Sequence, residues 1–508
     1  MGTGSQEQAV INIIDLDIAT LQQGMRTGVL SSVGIVRACL DRIAAIDVAG
    51  PALRAVLTVN PDALAIAARL DHERRSGQVR GPLHGVPVLV KDNVDTGDQQ
   101  PTTAGSLVFG DRPAPRDAEI IRRLREAGAV ILGKTNLSEW ANWRDTRSSS
   151  GWSAVGGQTR NPHAPDRTPL GSSAGSAVAV SAGLAPVAVG TETDGSIVMP
   201  ASVNGVVGFK PTLGLASRRG IVPISHSQDT PGPLARSVAD AALLLDAMTG
   251  TDPEDPLTVD ADGRRVGYAA ALDRASLQGR RVGIARAFGG DDDRGRSVLE
   301  AAIRTLREQG AEIVDPVDLG RANDCQWDEF VVLCHEFKAG LATYLETRGI
   351  PGLASLADVI AFNEREAERE LRWFGQNLLL MSQQTAGLDA PEYLEARTRA
   401  RWQAGAEGID ATIERHGLDA IVSLTASPAF AIDLVNGDNT RSMFASSRPA
   451  AVAGYPHVTV PAGFVQGLPI GVSFMAGAWR DAEVLAMAHG FEQAHRARRP
   501  PPLWQCRP

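Results

Sequence analysis

Two short stretches near the middle of the 508-residue chain are rich in serine, threonine and glycine, residue types that present a hydroxyl on a tight turn. They cover 171–176 (GSSAGS) and 190–197 (GTETDGSI). A small-residue helix and a strand are predicted between them, so both turns can lie at one end of a sheet, where open α/β folds place ligands. A serine- and glycine-rich cluster alone more often forms only a loop. Catalysis is indicated only with a base nearby, because a serine hydroxyl is a weak nucleophile until its proton is removed.

The candidate base is a lysine. No histidine stands in a recognisable nucleophile-elbow context, and His84, His226 and His457 fit structural roles better. Lys91 directly follows the apolar run 86–90 (VPVLV), so it lies at the carboxyl end of a predicted strand and just before a polar turn. A lysine can act as a base when its surroundings keep it neutral.

Lysine is rare in this chain. The 50 basic residues include four lysines, at positions 91, 134, 210 and 338. Codon usage explains this bias most simply, but arginine cannot give up its proton at working pH and lysine can. A free lysine titrates near ~10.4, so a base working near neutrality needs a pKa about three units lower, on the order of 4 kcal/mol. Burial can supply that change. For Lys134, Lys210 and Lys338 we expect structural or surface roles.

The hydrophobic pattern around these residues predicts an α/β fold. Continuous apolar runs, typical of buried strands, alternate with helical stretches at the spacing of parallel βαβ units. The predicted strands are 86–90, 129–132, 183–190, 281–285, 420–424 and 457–460, with helices at 117–127 and 238–248. The first 80 residues are predicted to be helical. Residues 327–408 are predicted to be a helical insertion, which contains many of the aromatic residues of the chain.

The segment 128–135 (GAVILGKT) matches the letters of the phosphate-binding loop GxxxxGK[ST]. Such a loop must leave its backbone N–H groups free to wrap a phosphate. Here the four intervening residues are apolar and are predicted to form a buried strand, whose N–H groups pair in the sheet. We therefore do not expect ATP or GTP binding.

Composition narrows the possible partners and compartments. The 59 acidic against 50 basic residues leave a formal charge of −9, whereas nucleic-acid modules usually carry a basic surplus. The longest apolar stretch, 177–190, is interrupted and shorter than the ~20 residues of a membrane span. Four scattered cysteines indicate neither a disulfide framework nor a metal knuckle. We expect a reduced, cytoplasmic protein without a nucleic-acid or membrane partner, as monomer or homodimer; secretion stays open if a leader has been removed.

Taken together, these segments resemble the amidase signature family. The resemblance rests on 85–92 (GVPVLVKD) and on a spacing of 24 residues between Ser172 and Ser196, which matches the family's two catalytic serines. Further matching motifs follow in order: 208–212 (GFKPT), 227–233 (SQDTPGP), 453–456 (AGYP), 460–463 (VPAG) and 467–472 (GLPIGV). The likeness covers nearly the whole chain, with 250–418 least constrained. It implies a single large domain, residues 1–508, with a twisted, mostly parallel mixed sheet covered by helices on both faces.

The family's roles carry over position by position. Ser196 would be the nucleophile that attacks an amide carbonyl, and Lys91 the general base and then the acid that helps the amine leave. Ser172, which in the family lies on a cis peptide bond, would bridge the two and relay the proton. The oxyanion hole would consist of four backbone N–H groups, those of Thr193, Asp194, Gly195 and Ser196.

The nucleophile loop departs from the common family pattern. Asp194 and Gly195 stand where two glycines are usual, and Val198 stands where arginine is usual. This version of the loop, together with 138–142 (SEWAN) and 224–229 (ISHSQD), is similar to the peptide amidase branch. That branch removes the C-terminal amide of peptides and releases ammonia. Two alternatives remain. The first is an amidase or esterase that acts on aryl, carbamate or short-chain acyl amides. The second is the glutaminase subunit of a tRNA-dependent amidotransferase, which the variant loop and the lack of a basic stripe disfavour.

Other residues carry weaker expectations. Asn142 and Ser173 are predicted to contact the substrate, and Trp143 either lines the pocket or belongs to the core. Asp229 is predicted to support the nucleophile loop by hydrogen bonding, although a turn role fits it equally well. No cluster of histidine, cysteine and aspartate has metal-ligand spacing, so we expect neither a metal nor a cofactor.

Overall fold

A computed structural model describes residues 15–289, 293–440 and 443–503, and its strands form one large sheet and one short ribbon. The strands are β1 Val56–Val59, β2 Pro87–Lys91, β3 Val130–Thr135, β4 Trp152–Ser153, β5 Gly157–Gln158, β6 Val187–Glu192, β7 Val207–Lys210, β8 Thr230–Ala235, β9 Arg281–Ile284, β10 Glu312–Val314, β11 Ala420–Leu424, β12 His457–Val465 and β13 Leu468–Met475.

Helices flank this sheet along the whole chain. They are α1 Ile18–Thr27, α2 Ser32–Arg42, α3 Ala63–Arg75, α4 Glu119–Glu126, α5 Ala174–Ser181, α6 Val198–Val203, α7 Val238–Met248, α8 Ala261–Arg264, α9 Tyr268–Ala271, α10 Asp293–Glu308, α11 Gln326–Arg348, α12 Leu356–Arg365, α13 Ala367–Glu370, α14 Asn377–Gln383, α15 Pro391–Ala404, α16 Ala411–His416, α17 Ser447–Ala453 and α18 Asp481–His495.

The large sheet is mixed, with the order β1-β3-β2-β6-β8-β7-β12-β13-β11-β9-β10. Strands β3, β2 and β6 pair in parallel, as do β10, β9 and β11. The strands between β6 and β11 pair antiparallel, and so does β1 with β3. The antiparallel pair β12–β13 follows from its tight turn at Gln466 and Gly467, both with positive φ, because a two-residue turn joins only antiparallel strands. The α/β class with helices flanking a mixed sheet is confirmed, and the expected parallel βαβ pairing is found in the two outer groups.

Most of the elements predicted from apolar runs form where expected, and one segment differs. Within the expected helical segment 1–80, α1, α2 and α3 form, but Val56–Val59 is the strand β1. Its residues Val-Leu-Thr-Val favour a strand, and pairing with the sheet edge at β3 supplies the backbone partners. The prediction of helix at that point is therefore wrong. Residues 1–14 of the segment lie outside the described residues.

The expected helical insertion 327–408 corresponds to α11 through α15. Helices α11, α12 and α14 form, with neighbouring loops, a second apolar cluster, separate from the main core, that includes the aromatic side chains of Phe109, Trp140, Phe337 and Tyr344. The Tyr344 hydroxyl donates to Asp95, in the loop that follows β2, at 2.8 Å. The helical layer is thereby tied to the carboxyl end of β2.

Two features bear on compartment and membrane contact. None of the helices in the described ranges is long and apolar enough to cross a bilayer. Cys39, Cys325 and Cys334 are free and buried, and Cys506 lies outside the described residues.

The segment that matches the phosphate-loop letters is part of the sheet. Val130–Thr135 forms β3 and is buried at every position. A Cβ on Gly133 would lie 2.4 Å from the carbonyl oxygen of Thr58, so this glycine lets β1 approach. Lys134 Nζ donates to Thr102 Oγ1 at 2.9 Å and lies 3.2 Å from Asp92 Oδ1. The glycine and the lysine of the motif thus serve packing and a buried ion pair.

Replacing Gly133 with alanine should weaken the fold. The added methyl group overlaps a backbone oxygen that cannot move without shifting β1, so we expect a loss of about 1–3 kcal/mol in the free energy of unfolding, measured by urea denaturation. Gly263→Ala in α8 is the control, since nothing lies within 4 Å of its added Cβ. A Gly133→Ala protein as stable as wild type would contradict this explanation of the glycine.

Candidate active site

The parallel pairing of β2 and β6 brings the predicted base beside the second serine-rich turn. Val90 of β2 is paired with Val189 of β6, so Lys91 at the end of β2 lies next to Thr191 near the end of β6. Ser172 precedes α5, and Ser196 lies in the turn between β6 and α6. All three predicted catalytic residues therefore meet at one edge of the sheet, as expected for the carboxyl ends of parallel strands.

Lys91 is completely buried and has three oxygen neighbours. Its Nζ lies 2.8 Å from Ser172 Oγ, 2.8 Å from Thr191 Oγ1 and 3.1 Å from the Thr191 carbonyl oxygen. Asn93 Nδ2 also donates to Thr191 Oγ1, at 3.0 Å. A neutral amine that gives its two hydrogens to the two Thr191 oxygens presents its lone pair to the Ser172 hydroxyl.

Burial lowers the pKa of Lys91 to about 7, against the opposing effect of the Asp229 and Glu192 carboxylates. Burial dominates because an ammonium ion loses its hydration in an apolar surrounding, while no carboxylate in the described part of the chain is close enough to form an ion pair with it. The amine is therefore substantially neutral near neutral pH. This is the change in pKa that a lysine base requires.

The two serines, Ser172 and Ser196, line a common cavity of about 390 Å³, together with Gly171. The Gly171–Ser172 peptide bond is cis, as the family resemblance implies. Ser196 is 7% exposed, whereas Ser172 is completely buried. Among the described residues no hydrogen bond joins Ser172 to Ser196; the Ser173 N–H donates to the Ser196 carbonyl oxygen at 3.1 Å and holds the two turns together.

The turn that carries Ser196 presents a row of free backbone donors. None of the N–H groups of residues 193–196 donates to an acceptor in the described part of the chain. Gly195 has φ +77°, a left-handed conformation that glycine adopts without strain. The next two N–H groups, of Ile197 and Val198, donate to Glu192 Oε2 at 2.8 and 3.0 Å. Such a row of N–H groups can bind an oxygen that carries developing negative charge.

Asp229 contacts the turn that carries Ser196. Its Oδ1 accepts from the Thr193 hydroxyl at 2.6 Å, while its Oδ2 accepts from the N–H groups of Ile224 and Ser225 at 2.8 and 2.9 Å. Gln228 donates to the Thr193 carbonyl oxygen at 3.2 Å. Burial raises the pKa of Asp229 to about 6. Thr193, the first residue of the turn, is therefore held from both its side chain and its backbone.

The two residues predicted to contact the substrate, Asn142 and Ser173, lie in different positions relative to the cavity. Asn142 lines the cavity, and its Oδ1 accepts from Ser148 Oγ at 2.8 Å. Ser173 does not line it: the side chain is buried, and its hydroxyl donates to the Thr191 carbonyl oxygen at 3.0 Å. The structure therefore does not place the Ser173 hydroxyl in the cavity, because it is turned back toward β6.

Several residues around the site were not singled out from the sequence. Thr191, which contacts Lys91, is one of them. Its position in the second serine-rich stretch was a signal that could have indicated it. Glu329 on α11 and Arg448 on α17 also line the cavity and form an ion pair with an Nε to Oε2 distance of 2.9 Å. Neither residue belongs to one of the motifs found in the sequence, so no local pattern indicated them.

Residues assigned to other roles fall outside the cavity. His84, His226 and His457 do not line it, in keeping with structural roles. Lys134 and Lys210 are fully buried, which excludes a surface position for both. Within the described ranges, no group of three or more histidine, cysteine, aspartate or glutamate side chains could hold a metal ion.

The sequence and the fold are similar to those of known proteins. A sequence model with the description Amidase matches residues 34–485. The solved structure of native peptide amidase from Stenotrophomonas maltophilia is 50% identical, with a TM-score of 0.93, over 97% of this chain and 99% of that chain. A probable amidase of Arabidopsis thaliana is 39% identical over 99% of this chain and 95% of its own length. A glutamyl-tRNA(Gln) amidotransferase chain of Salinispora tropica is 36% identical over 94% of this chain and 96% of its own length.

Replacing Lys91 with methionine should stabilise the fold. At about 1.36 kcal/mol per pKa unit, keeping this amine buried costs on the order of 4 kcal/mol near pH 7. Lost hydrogen bonds, at about 1 kcal/mol each, offset part of the gain, so we expect a net gain of about 2 kcal/mol in urea unfolding. Since the folded-state pKa is lowered, the cost is complete below about pH 7 and disappears toward the ordinary lysine pKa, so the gain should shrink by pH 10.

The matched control is Lys338→Met. Lys338 is partly exposed on α11, and its Nζ donates to the carbonyl oxygens of Gln383 and Thr385 at 2.9 and 2.6 Å. We expect no gain from this change. A Lys91→Met protein less stable than wild type at pH 7 would show that the amine is not held at a cost.

Proposed function

The chain belongs to the amidase signature family and is an amidase; we propose that it removes the C-terminal amide of peptides with release of ammonia, through Ser196, Ser172 and Lys91. The observation that carries the proposal is the buried contact of 2.8 Å between Lys91 Nζ and Ser172 Oγ, at the wall of the cavity that Ser196 also lines.

In the first half of the reaction Ser196 Oγ attacks the amide carbonyl carbon. Its proton passes to Ser172, whose own proton passes to Lys91 Nζ. The C–N bond then breaks, and the proton returns along the same path to the leaving nitrogen, which departs as ammonia. The product of this half is an acyl ester on Ser196. Attack by water on that ester, with the same proton transfers, releases the carboxylic acid and restores the serine.

Negative charge that develops on the carbonyl oxygen is received by the free N–H groups of the turn 193–196. Removing one such donor in other enzymes costs about 3–4 kcal/mol of transition-state stabilisation. Asp229 and Gln228 hold Thr193, so the donors are positioned before the substrate arrives.

Two findings support peptide amides as the substrate class. The similarity to peptide amidase extends over nearly the full length of both chains. The cavity of about 390 Å³ lies within the size range of sites for drug-sized molecules, so it has room for more than a short acyl group. Aryl, carbamate and short-chain amides remain the alternative substrates. Measuring ammonia release from these three and from peptide amides tests which substrate class the enzyme prefers.

A glutaminase function is the second candidate, because the amidotransferase chain of Salinispora tropica is 36% identical over most of this chain. The variant turn with Asp194 before Gly195 and the acidic balance of the chain weigh against it. Purified chain alone should release ammonia from a dipeptide amide. Activity on glutamine only in the presence of partner subunits would favour the amidotransferase instead.

Ser196→Ala and Lys91→Arg should each abolish turnover of a peptide amide while the fold survives. The alanine has no nucleophile, and arginine stays protonated and cannot accept the serine proton. Ammonia release measures turnover, and circular dichroism checks the fold. Lys338→Arg, remote from the cavity, is the control and should retain wild-type activity. Wild-type activity in either site variant would exclude the proposed mechanism.

Activity should also depend on pH through Lys91. The base must be neutral, and burial lowers its pKa to about 7. We therefore expect kcat/KM to fall about tenfold per pH unit below that value and to level off above it. Initial rates between pH 5 and 10 measure this dependence. A rate that keeps rising toward pH 10 would mean that Lys91 has an ordinary pKa. It would then not be the neutral base that the mechanism requires near pH 7.

A further inference from the structure

We propose that Trp327 and Phe330 form a subsite for the part of the acyl chain that extends beyond the amidated residue, and that this subsite takes an apolar or aromatic side chain. The inference rests on the proposed function, because only a peptide amide longer than one residue has an acyl chain that extends beyond the amidated residue. It assigns a substrate-binding role to the first turns of α11.

Three aromatic rings form one continuous wall of the cavity, which we call the aromatic wall: Trp143, Phe330 and Trp327. Trp143 and Phe330 have ring centroids 5.9 Å apart, and Phe330 and Trp327 have centroids 6.4 Å apart in an edge-on arrangement. Trp143 is buried, with its Nε1–H donating to Ser382 Oγ at 3.1 Å. The wall therefore runs from an anchored inner ring to an outer ring.

The outer ring of the aromatic wall, that of Trp327, is largely exposed to solvent. Trp327 is 76% exposed although it lines the same cavity as Ser196. On α11 it lies three residues before Phe330 and six before Leu333, which also lines the cavity, so one helix face supplies this side of the opening. A single exposed apolar residue is ordinary on a protein surface. An exposed indole that continues the wall of a cavity offers a flat apolar face to whatever enters it.

Charge in the cavity restricts what the aromatic wall can accept. The carboxylates of Asp145, Asp194, Glu329 and Asp438 line it, and the Arg448 guanidinium lies 3.8 Å from Asp194 and 2.9 Å from Glu329. This guanidinium faces two carboxylates and is not free to receive an acidic side chain. The acidic lining therefore disfavours an acidic side chain, and the aromatic wall itself favours an apolar or aromatic one.

The test compares two amides, acetylated leucine amide and acetylated Phe-Phe-Leu amide, in wild type and three variants. Trp327→Ala should lower kcat/KM for the longer amide about tenfold more than for the shorter one, equivalent to about 1.4 kcal/mol, mainly through KM. Trp327→Phe should keep most of the activity on the longer amide, because a ring remains. Trp402→Ala is the matched control: this residue is also exposed, at 51%, but does not line the cavity, so its replacement should change the rate on neither substrate.

Equal losses on both amides, or no loss, in Trp327→Ala would overturn the subsite while leaving the proposed function in place. If wild type released ammonia from neither amide, the proposed function would fail and the subsite with it. A loss in Trp402→Ala equal to that in Trp327→Ala would show a general surface effect and would also overturn the assignment.

Discussion

The site depends on keeping one amine uncharged inside the protein. Lys91 is fully buried beside hydroxyl and carbonyl oxygens, and burial lowers its pKa to about 7 against the opposing effect of the Asp229 and Glu192 carboxylates. An ion pair would reverse this effect and make the lysine useless as a base. The surrounding structure has to bring a serine hydroxyl within hydrogen-bonding distance of the amine while keeping carboxylates at a distance.

The sheet meets this requirement through the register of two strands. Parallel pairing of β2 with β6 places Lys91 beside Thr191, whose two oxygens can take the hydrogens of a neutral amine. The carboxylates that the site does need point away from the amine, since Asp229 accepts from Thr193 and Glu192 accepts from the N–H groups that follow the nucleophile turn. They support the turn without pairing with Lys91.

Much of this arrangement could be predicted from the sequence because its signals are local. The apolar run before Lys91 and the two small-residue turns indicated strand ends and loops, and the family motifs joined them into one site. Strand β8 (Thr230–Ala235) was missed because its two prolines are unfavourable within a sheet interior. The ion pair of Glu329 with Arg448 could not be predicted either, because it joins residues 119 positions apart through tertiary packing alone. The direction of the Ser173 hydroxyl could not be predicted, because neighbouring serines on a tight turn point in different directions, which only the folded backbone determines.

Direct titration of Lys91 tests the central claim most closely. Because the chain has four lysines, selective carbon-13 labelling at the ε-position should give four resolved NMR signals, and the signal absent from Lys91→Met is that of Lys91. The account predicts that this signal titrates with a pKa near 7 in the folded protein. Titration near ~10.4, the value of a free lysine, would contradict it, because the amine would then be protonated at neutral pH and could not take the proton from serine.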